Sequence, residues 1–318
     1  MQNKALPIIF VHTGNSSIIS YALNQAQKYN PDSEIILLGD HSNQWVLDQG
    51  FSHYMVSDYF TRAEQFEKVF VNMSPNPAGY ECFCFQRWMI LDEFLKERKD
   101  ISSFVYLDTD VLLYTDITEY WEKHLKNIDV TVCKDQGPQY TFLNKKSLHE
   151  LAEFMFCYYE NNDASSKLKS YYYSNFIEAN RYGGICDMTL LEWYAKTKNY
   201  QDTNVPIEGA LFDNSINQSE GFAMSGKRKK IKFKNGKPFG ILINGKGDIQ
   251  FLGLHFQGDA KWFMYRFYTG DPSRVRKRYK SYIAEKMYKL KKVSWLLVGK
   301  LGLKNTVRKV INVKKPSI

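Results

Sequence analysis

The chain has no C-x-x-C pair, no long apolar run, no internal repeat and no low-complexity linker, and each absence removes a class of protein. Its 5 cysteines, Cys82, Cys84, Cys133, Cys157 and Cys186, form an odd set without a C-x-x-C spacing. That excludes a zinc cage and a disulfide framework and points to reduced thiols. The stretch MQNKALPIIFVHTGN offers too short an apolar run for a signal-peptide core, and VSWLLVG is far shorter than the roughly 20 apolar residues that cross a bilayer. The expectation is a cytoplasmic protein. Basic residues outnumber acidic ones most heavily in the tail: residues 271–318 hold 15 Lys/Arg and 2 Asp/Glu, whereas the first 270 residues hold 28 and 32. The net charge of +9 therefore describes an appendage, and no nucleic-acid groove across the fold is expected.

What is present is enough apolar residue, 44% of 318, for a full α/β core. PIIFVHTGN reads as a strand and turn, NSSIISYALNQAQKYNP as a helix capped by Asn15 or Ser16 and stopped by Pro31, and SEIILLGD as the next strand. Such continuously apolar strands belong to a parallel sheet, whose ligands gather at strand C-termini, here near Thr13 and Asp40. Thr61 and Glu64 have the spacing of a capping box. FQRWMILDEFLKERKD predicts a helix with Trp88, Leu91 and Leu95 inward, and SLHELAEFMFCYY one with Leu148, Leu151, Met155 and Tyr158 on a stripe. Asn235-Gly236 and Asn244-Gly245 each sit between strand-like runs, so an antiparallel meander ending at His255 is expected. Residues 1–270 form the expected domain and 271–318 a basic helical tail.

The segment SFVYLDTDVLLY sets Asp108 and Asp110 inside an apolar run, where a carboxylate needs a cap, a basic side chain or a metal as partner. Asp-x-Asp arises by chance about once in a chain of this composition, so its setting must decide. It lies at the C-terminal end of a buried strand. LGLHFQGDAKWF adds His255, Gly258 and Lys261 after another strand, and RYGGICDMTLLEWY adds Gly183, Gly184 and Asp187 ahead of a helix. Two carboxylates and an imidazole suit Mn²⁺ or Mg²⁺ with positions left for phosphate oxygens.

This order of motifs, over about residues 7–265, resembles the GT-A glycosyltransferases, glycogenin and the family 8 galactosyltransferases in particular. The resemblance implies a Rossmann-like mixed sheet, parallel in its N-terminal half. It also implies a divalent cation on Asp108, Asp110 and His255, with Gly258 and Lys261 at the diphosphate of a UDP-sugar. Val11, His12, Thr13 and Asn15 would line the nucleoside, and Arg87 would face the donor, with a solvated helix charge as its alternative. The family pattern has Asp-Gln where this chain has Asp187-Met188, which leaves the stereochemistry open. In a retaining enzyme the leaving diphosphate assists the acceptor and Asp187 orients sugar or acceptor; in an inverting one Asp187 is the general base.

The function expected is hexosyl transfer from a UDP-sugar to a glycan or lipid-linked saccharide in cell-surface polysaccharide assembly, with SKLKSYYYSNF as a lid or acceptor loop. A nucleotidyltransferase is a rival, but HTGNSSIIS has one glycine and no lysine or arginine to cradle a triphosphate. An inactive membrane- or polyanion-binding protein is another. In the tail, Tyr279, Ile283, Met287 and Leu290 share a helical stripe among basic residues, the layout of an interfacial helix docking on the anionic inner face of a membrane.

Overall fold

The computed structural model describes residues 5–243, 245 and 247–275. The chain divides into two units, 1–270 and 271–318, and nearly all of the second, including the stripe from Tyr279 to Leu290, lies outside the described residues. In the first unit the chain runs through β1 (Ile8–Val11), α1 (Ser17–Tyr29), β2 (Ile35–Gly39), β3 (Ser52–Met55), α2 (Thr61–Val69) and α3 (Ala78–Glu97). It continues through β4 (Ser103–Leu107), β5 (Val111–Leu113), α4 (Ile117–Tyr120), β6 (Val130–Val132), β7 (Tyr140–Asn144), α5 (Lys145–Glu160), α6 (Asn162–Tyr172) and α7 (Asp187–Ala195). The remaining strands are β8 (Tyr200–Asp202), β9 (Ala210–Phe212), β10 (Met224–Ser225), β11 (Arg228–Lys229), β12 (Ile231–Lys234), β13 (Lys237–Ile241) and β14 (Asp248–His255).

Seven strands form one sheet in the order β3-β2-β1-β4-β7-β6-β8. The first four are mutually parallel, and β7 turns antiparallel against β4. Every residue of β1 and β2 is buried. Alternation divides them: Ile9 and Val11 pack with Trp88 and Leu91 of α3, while Ile8 and Phe10 pack with Ile19 and Leu23 of α1. Burying such a side chain contributes about 1.5–3 kcal/mol, and cores on both faces explain why these strands are apolar throughout. A second sheet runs β12-β13-β14-β5, with β9 added in parallel beside β14. The mixed α/β architecture, parallel first and antiparallel later, is the one the sequence leads to.

Several local expectations meet different physics. Asn235 and Gly236 take positive φ of 50° and 76° in the β12–β13 turn, as an Asn-Gly hairpin requires. Asn244 lies outside the described residues, although β13 and β14 on either side of it pair antiparallel. Ser16 is the N-cap of α1 but makes no side-chain cap bond, because the cap there is backbone geometry alone. The Thr61–Glu64 capping box does not form: the amides of Thr61 and Arg62 donate instead to Glu93 of α3, each at 3.0 Å. A carboxylate from a neighbouring helix outcompetes the local one. Tyr158 is half-buried, and its neighbour Tyr159 points into the core. SKLKSYYYSNF is no loop but the end of α6 and a following π turn, where Tyr171 packs edge-on to Trp193 at 5.0 Å.

Candidate active site

Asp108, Thr109 and Asp110 form the connection that leaves the seven-stranded sheet at Leu107 and enters the second sheet at Val111. β14 pairs antiparallel with β5 so that His255 stands opposite Val111 and the Phe256 amide donates to the Asp110 carbonyl at 2.9 Å. This register brings a histidine 145 positions away beside the aspartates, and one carboxylate or imidazole atom from each of Asp108, Asp110 and His255 lies within 4.8 Å of the others. A slip of one residue would turn the imidazole to the opposite face.

Asp110 is buried, with His255 Nε2 3.5 Å from Oδ1 and Lys261 Nζ 3.1 Å from Oδ2. Burial pushes its pKa up, but His255 and Lys261 outweigh burial and hold the carboxyl well below the usual range. His255 Nδ1 donates to the Asn214 carbonyl at 2.5 Å, which directs Nε2 toward the carboxylates. Burial alone would lower the His255 pKa; Asp110 reverses this and lifts it to about 9. Lys261 behaves likewise, its burial opposed by Asp110, so it is also held charged. A buried carboxylate that collects two cationic groups marks a place built for positive charge. The donor set fits a divalent cation: two hard oxygens, a borderline nitrogen, and an imidazole oriented by a backbone carbonyl.

Asp108 lies on the other side, accepting from Tyr106 Oη at 2.5 Å and from Arg87 Nη1 at 3.0 Å. Arg87 Nη2 pairs with Asp187 Oδ2, which also accepts from Trp88 Nε1 at 3.1 Å. Arg87 is thus neither a solvated charge nor free to reach out, since each terminal nitrogen holds a carboxylate. Asp187 is 2% exposed and begins α7. Gly184 lets this segment approach: a Cβ there would lie 2.1 Å from the Met73 carbonyl oxygen, while the Ile185 amide donates to that oxygen at 2.8 Å. Gly258 has open space beside its α carbon but a φ of 61°, so its backbone conformation is what calls for glycine.

The residues expected around a nucleoside divide. Thr13 and Asp40 line a cavity of about 610 Å³ together with Met55, Val56, Phe60 and Glu64. Asp40 also ties the turn, accepting from the Gly14 amide at 2.6 Å and the Ser42 amide at 2.8 Å. His12 Nδ1 meets Thr109 Oγ1 at 2.9 Å, linking the first βα turn to the Asp-x-Asp segment. Burial first, and then the positive charge of Lys261, lower its pKa to about 4, so it is neutral. Val11 is packed in the core, and exposed Asn15 accepts from Trp45 Nε1 at 3.2 Å. Tyr106, Asn43 and Asn214 were not singled out from the sequence, and Trp88 was expected only as a core residue of its helix. Tyr106 was open to detection, standing two residues before Asp108 and so on the same face of the strand. Asn43, which donates to the His12 carbonyl at 2.8 Å, carries no local signal.

All five cysteines are unpaired, and among the described residues no helix is long and apolar enough to cross a membrane. No protein-family model matches the chain, and no curated protein does either. Solved structures match at low identity. Mouse xyloside xylosyltransferase 1, in its apo form, is 10% identical, with 62% of this chain and 84% of that one covered at a TM-score of 0.46. The bifunctional glycosyltransferase WbbM, also apo, is 11% identical, with 87% of this chain and 52% of its own covered at a TM-score of 0.48. The galactosyltransferase LgtC with donor and acceptor sugar analogs is 15% identical, with 86% and 99% covered at a TM-score of 0.44. These three similar structures are glycosyltransferases, and a cytidylyltransferase from Leptospira borgpetersenii also matches, at 11% identity with 55% of this chain and 73% of that one covered and a TM-score of 0.29.

Proposed function

We propose that the protein is a metal-dependent glycosyltransferase that moves a hexose from a UDP-sugar to a glycan or glycolipid acceptor, in cell-surface polysaccharide assembly. The observation that carries this reading is the meeting of Asp108, Asp110 and His255 at adjoining strand ends, with Lys261 on Asp110 and the Arg87–Asp187 pair on Asp108. Asp108, Asp110 and His255 would hold Mn²⁺ or Mg²⁺, which when bound supplies positive charge to the donor diphosphate. Lys261, held protonated, would meet the negative charge that grows on the β-phosphate as its bond to the sugar carbon lengthens, and Gly258 would let the backbone approach the same oxygens. Thr13 and Asp40 would bound the nucleoside from the cavity side, with His12 and Asn15 shaping the turn above buried Val11.

The acceptor oxygen bonds the sugar carbon while UDP leaves, and the hydroxyl proton must pass to a base. Asp187 Oδ2 already accepts from Arg87 and Trp88, which ties this oxygen to the protein and away from an acceptor hydroxyl. This favours a retaining course, in which the proton goes to the departing diphosphate and Asp187 orients the sugar or the acceptor. Arg87 would then act by fixing Asp187 and Asp108.

A thermal-shift screen of nucleotide sugars with and without Mn²⁺, followed by an assay of UDP release, tests the reading. A UDP-sugar should raise the melting temperature only with metal, and EDTA should abolish turnover until Mn²⁺ or Mg²⁺ is restored. Full activity in EDTA after dialysis would overturn it. The segment 271–318 would carry the enzyme to an anionic membrane, because each basic residue near such a surface contributes about 1 kcal/mol. Liposome co-sedimentation of the full chain and of a chain ending at Gly270 checks this. Salt-sensitive binding by the full chain alone is expected, and equal sedimentation of both would refute it.

A further inference from the structure

Behind His255 lies a second charged cluster. Lys229 is fully buried, and its ammonium donates to Asp213 Oδ1 at 2.5 Å, Glu220 Oε2 at 2.5 Å and the Ser215 carbonyl at 3.0 Å, which uses all three of its protons. All three acceptors belong to the segment 213–220, the same segment whose Asn214 carbonyl holds His255 Nδ1. The segment is clasped from both sides. On the Lys229 side the Lys229 amide donates to the Ile216 carbonyl at 2.7 Å; on the His255 side the Ile216 amide donates to the His255 carbonyl at 3.0 Å. The Asn214 side chain completes the strut by donating to Glu220 Oε1 at 2.9 Å.

We propose that Lys229 is a positioning residue of the metal centre: by closing the segment 213–220 it fixes the Asn214 carbonyl, and so keeps the proton of neutral His255 on Nδ1 and the lone pair of Nε2 toward Asp108 and Asp110. Without the ammonium, two carboxylates would be left together in the interior, and the segment would open to separate or hydrate them. His255 would then lose the acceptor that orients its ring. Partners of this kind change metal affinity by about 10–100-fold when removed.

This inference rests on the metal reading given above, and its test separates the two. Mn²⁺ affinity is measured by calorimetry on the full chain for wild type, His255→Ala, Lys229→Met and Glu220→Ala, with circular dichroism confirming the fold. The tautomer of His255 is read by long-range ¹H–¹⁵N NMR without metal, at a pH where the ring is neutral. Lys229→Met should bind Mn²⁺ about 10–100-fold more weakly and show mixed tautomers, with Glu220→Ala intermediate. If His255→Ala leaves Mn²⁺ binding unchanged, the metal reading fails and this one with it. If His255→Ala weakens binding while folded Lys229→Met keeps wild-type affinity and a single Nδ1–H tautomer, Lys229 has no such role and the metal reading stands. Should Lys229→Met not fold, wild-type affinity and tautomer in Glu220→Ala overturn the proposal in the same way.

Discussion

Two clusters of opposite charge lie on either side of the segment 213–220, and they differ in what surrounds them. In the first, Asp110 collects His255 and Lys261, and the Lys261 side chain is 43% exposed. In the second, Lys229 collects Asp213 and Glu220, and neither Lys229 nor Asp213 has any exposed side-chain surface. The chemistry is similar, a buried charge met by two of the opposite sign. The sealed cluster has no route by which a partner could be exchanged, so its energy goes into holding the chain. The open one can trade a cation of the protein for one from solution or for a phosphate partner. Burial pushes the pKa of Asp213 up despite Lys229, whereas His255 and Lys261 hold Asp110 down against burial.

The sharpest way to break this contrast is to mutate both sides. Asp110→Asn should reduce UDP-forming turnover by about a hundredfold or more, the scale of lost charge stabilisation, while leaving the urea midpoint near that of wild type. Lys229→Met should act first on stability, costing about 3–5 kcal/mol because it strands buried carboxylates, and should lower turnover only as far as the hold on Mn²⁺ weakens. Urea denaturation and a coupled UDP assay on both variants check this, and equal destabilisation by the two would erase the distinction.

Asp187→Ala sharpens the same comparison within the open site. It should lower turnover by tenfold or more at saturating donor, while the UDP-sugar dissociation constant changes far less, because the residue is expected to act on sugar or acceptor and not on the nucleotide. Collapse of donor binding with turnover preserved would mean that the Arg87–Asp187 pair serves the nucleotide instead.

His12 reports on the electrostatics between the first turn and the Asp-x-Asp segment. Its folded pKa, about 4, lies below the ordinary value of 6.5, so its contribution to stability is fully present above pH 6.5. That contribution, on the order of 3 kcal/mol, is lost as pH falls from 6.5 toward 4. In metal-free buffer, His12→Gln should therefore flatten the fall in stability across that window. An unchanged pH profile would show that the ring is not held neutral.

The smallest effect concerns α2. Glu93→Ala should cost about 0.5–2 kcal/mol, the worth of a lost helix cap, whereas Glu64→Ala should stay within about 0.5 kcal/mol. Thermal denaturation of the pair decides between the distant cap and the local one.

How much of this was legible follows from distance along the chain. The Asp-x-Asp pair and His255 were singled out because they stand at the ends of apolar strands, and Lys261 because it follows one closely; strand ends are where an α/β sheet opens. Arg87, Asp108 and Asp187 were each singled out, but not their pairing, since Asp187 is 100 positions from Arg87 and meets it only when α3 and α7 pack together. The capping box failed for the same reason: Glu93, far from Thr61 in sequence, reaches its amide first. The tyrosines of SKLKSYYYSNF read as a loop because their apolar spacing is too dense to show a helical period, yet tertiary packing on Trp193 keeps them helical.

The sequence by itself determined the elements and their order. Apolar period, glycine and proline placement, and Asn-Gly turns act over a few residues, and their energies are spent locally. Only the tertiary structure decided which charges meet. The β5–β14 register that faces His255 with Asp110 depends on pairing segments far apart in the chain, and so does the seating of His255 on the Asn214 carbonyl. Such pairings are selected by burial summed over the whole molecule, in a low-dielectric interior where an unmatched charge is too costly to persist.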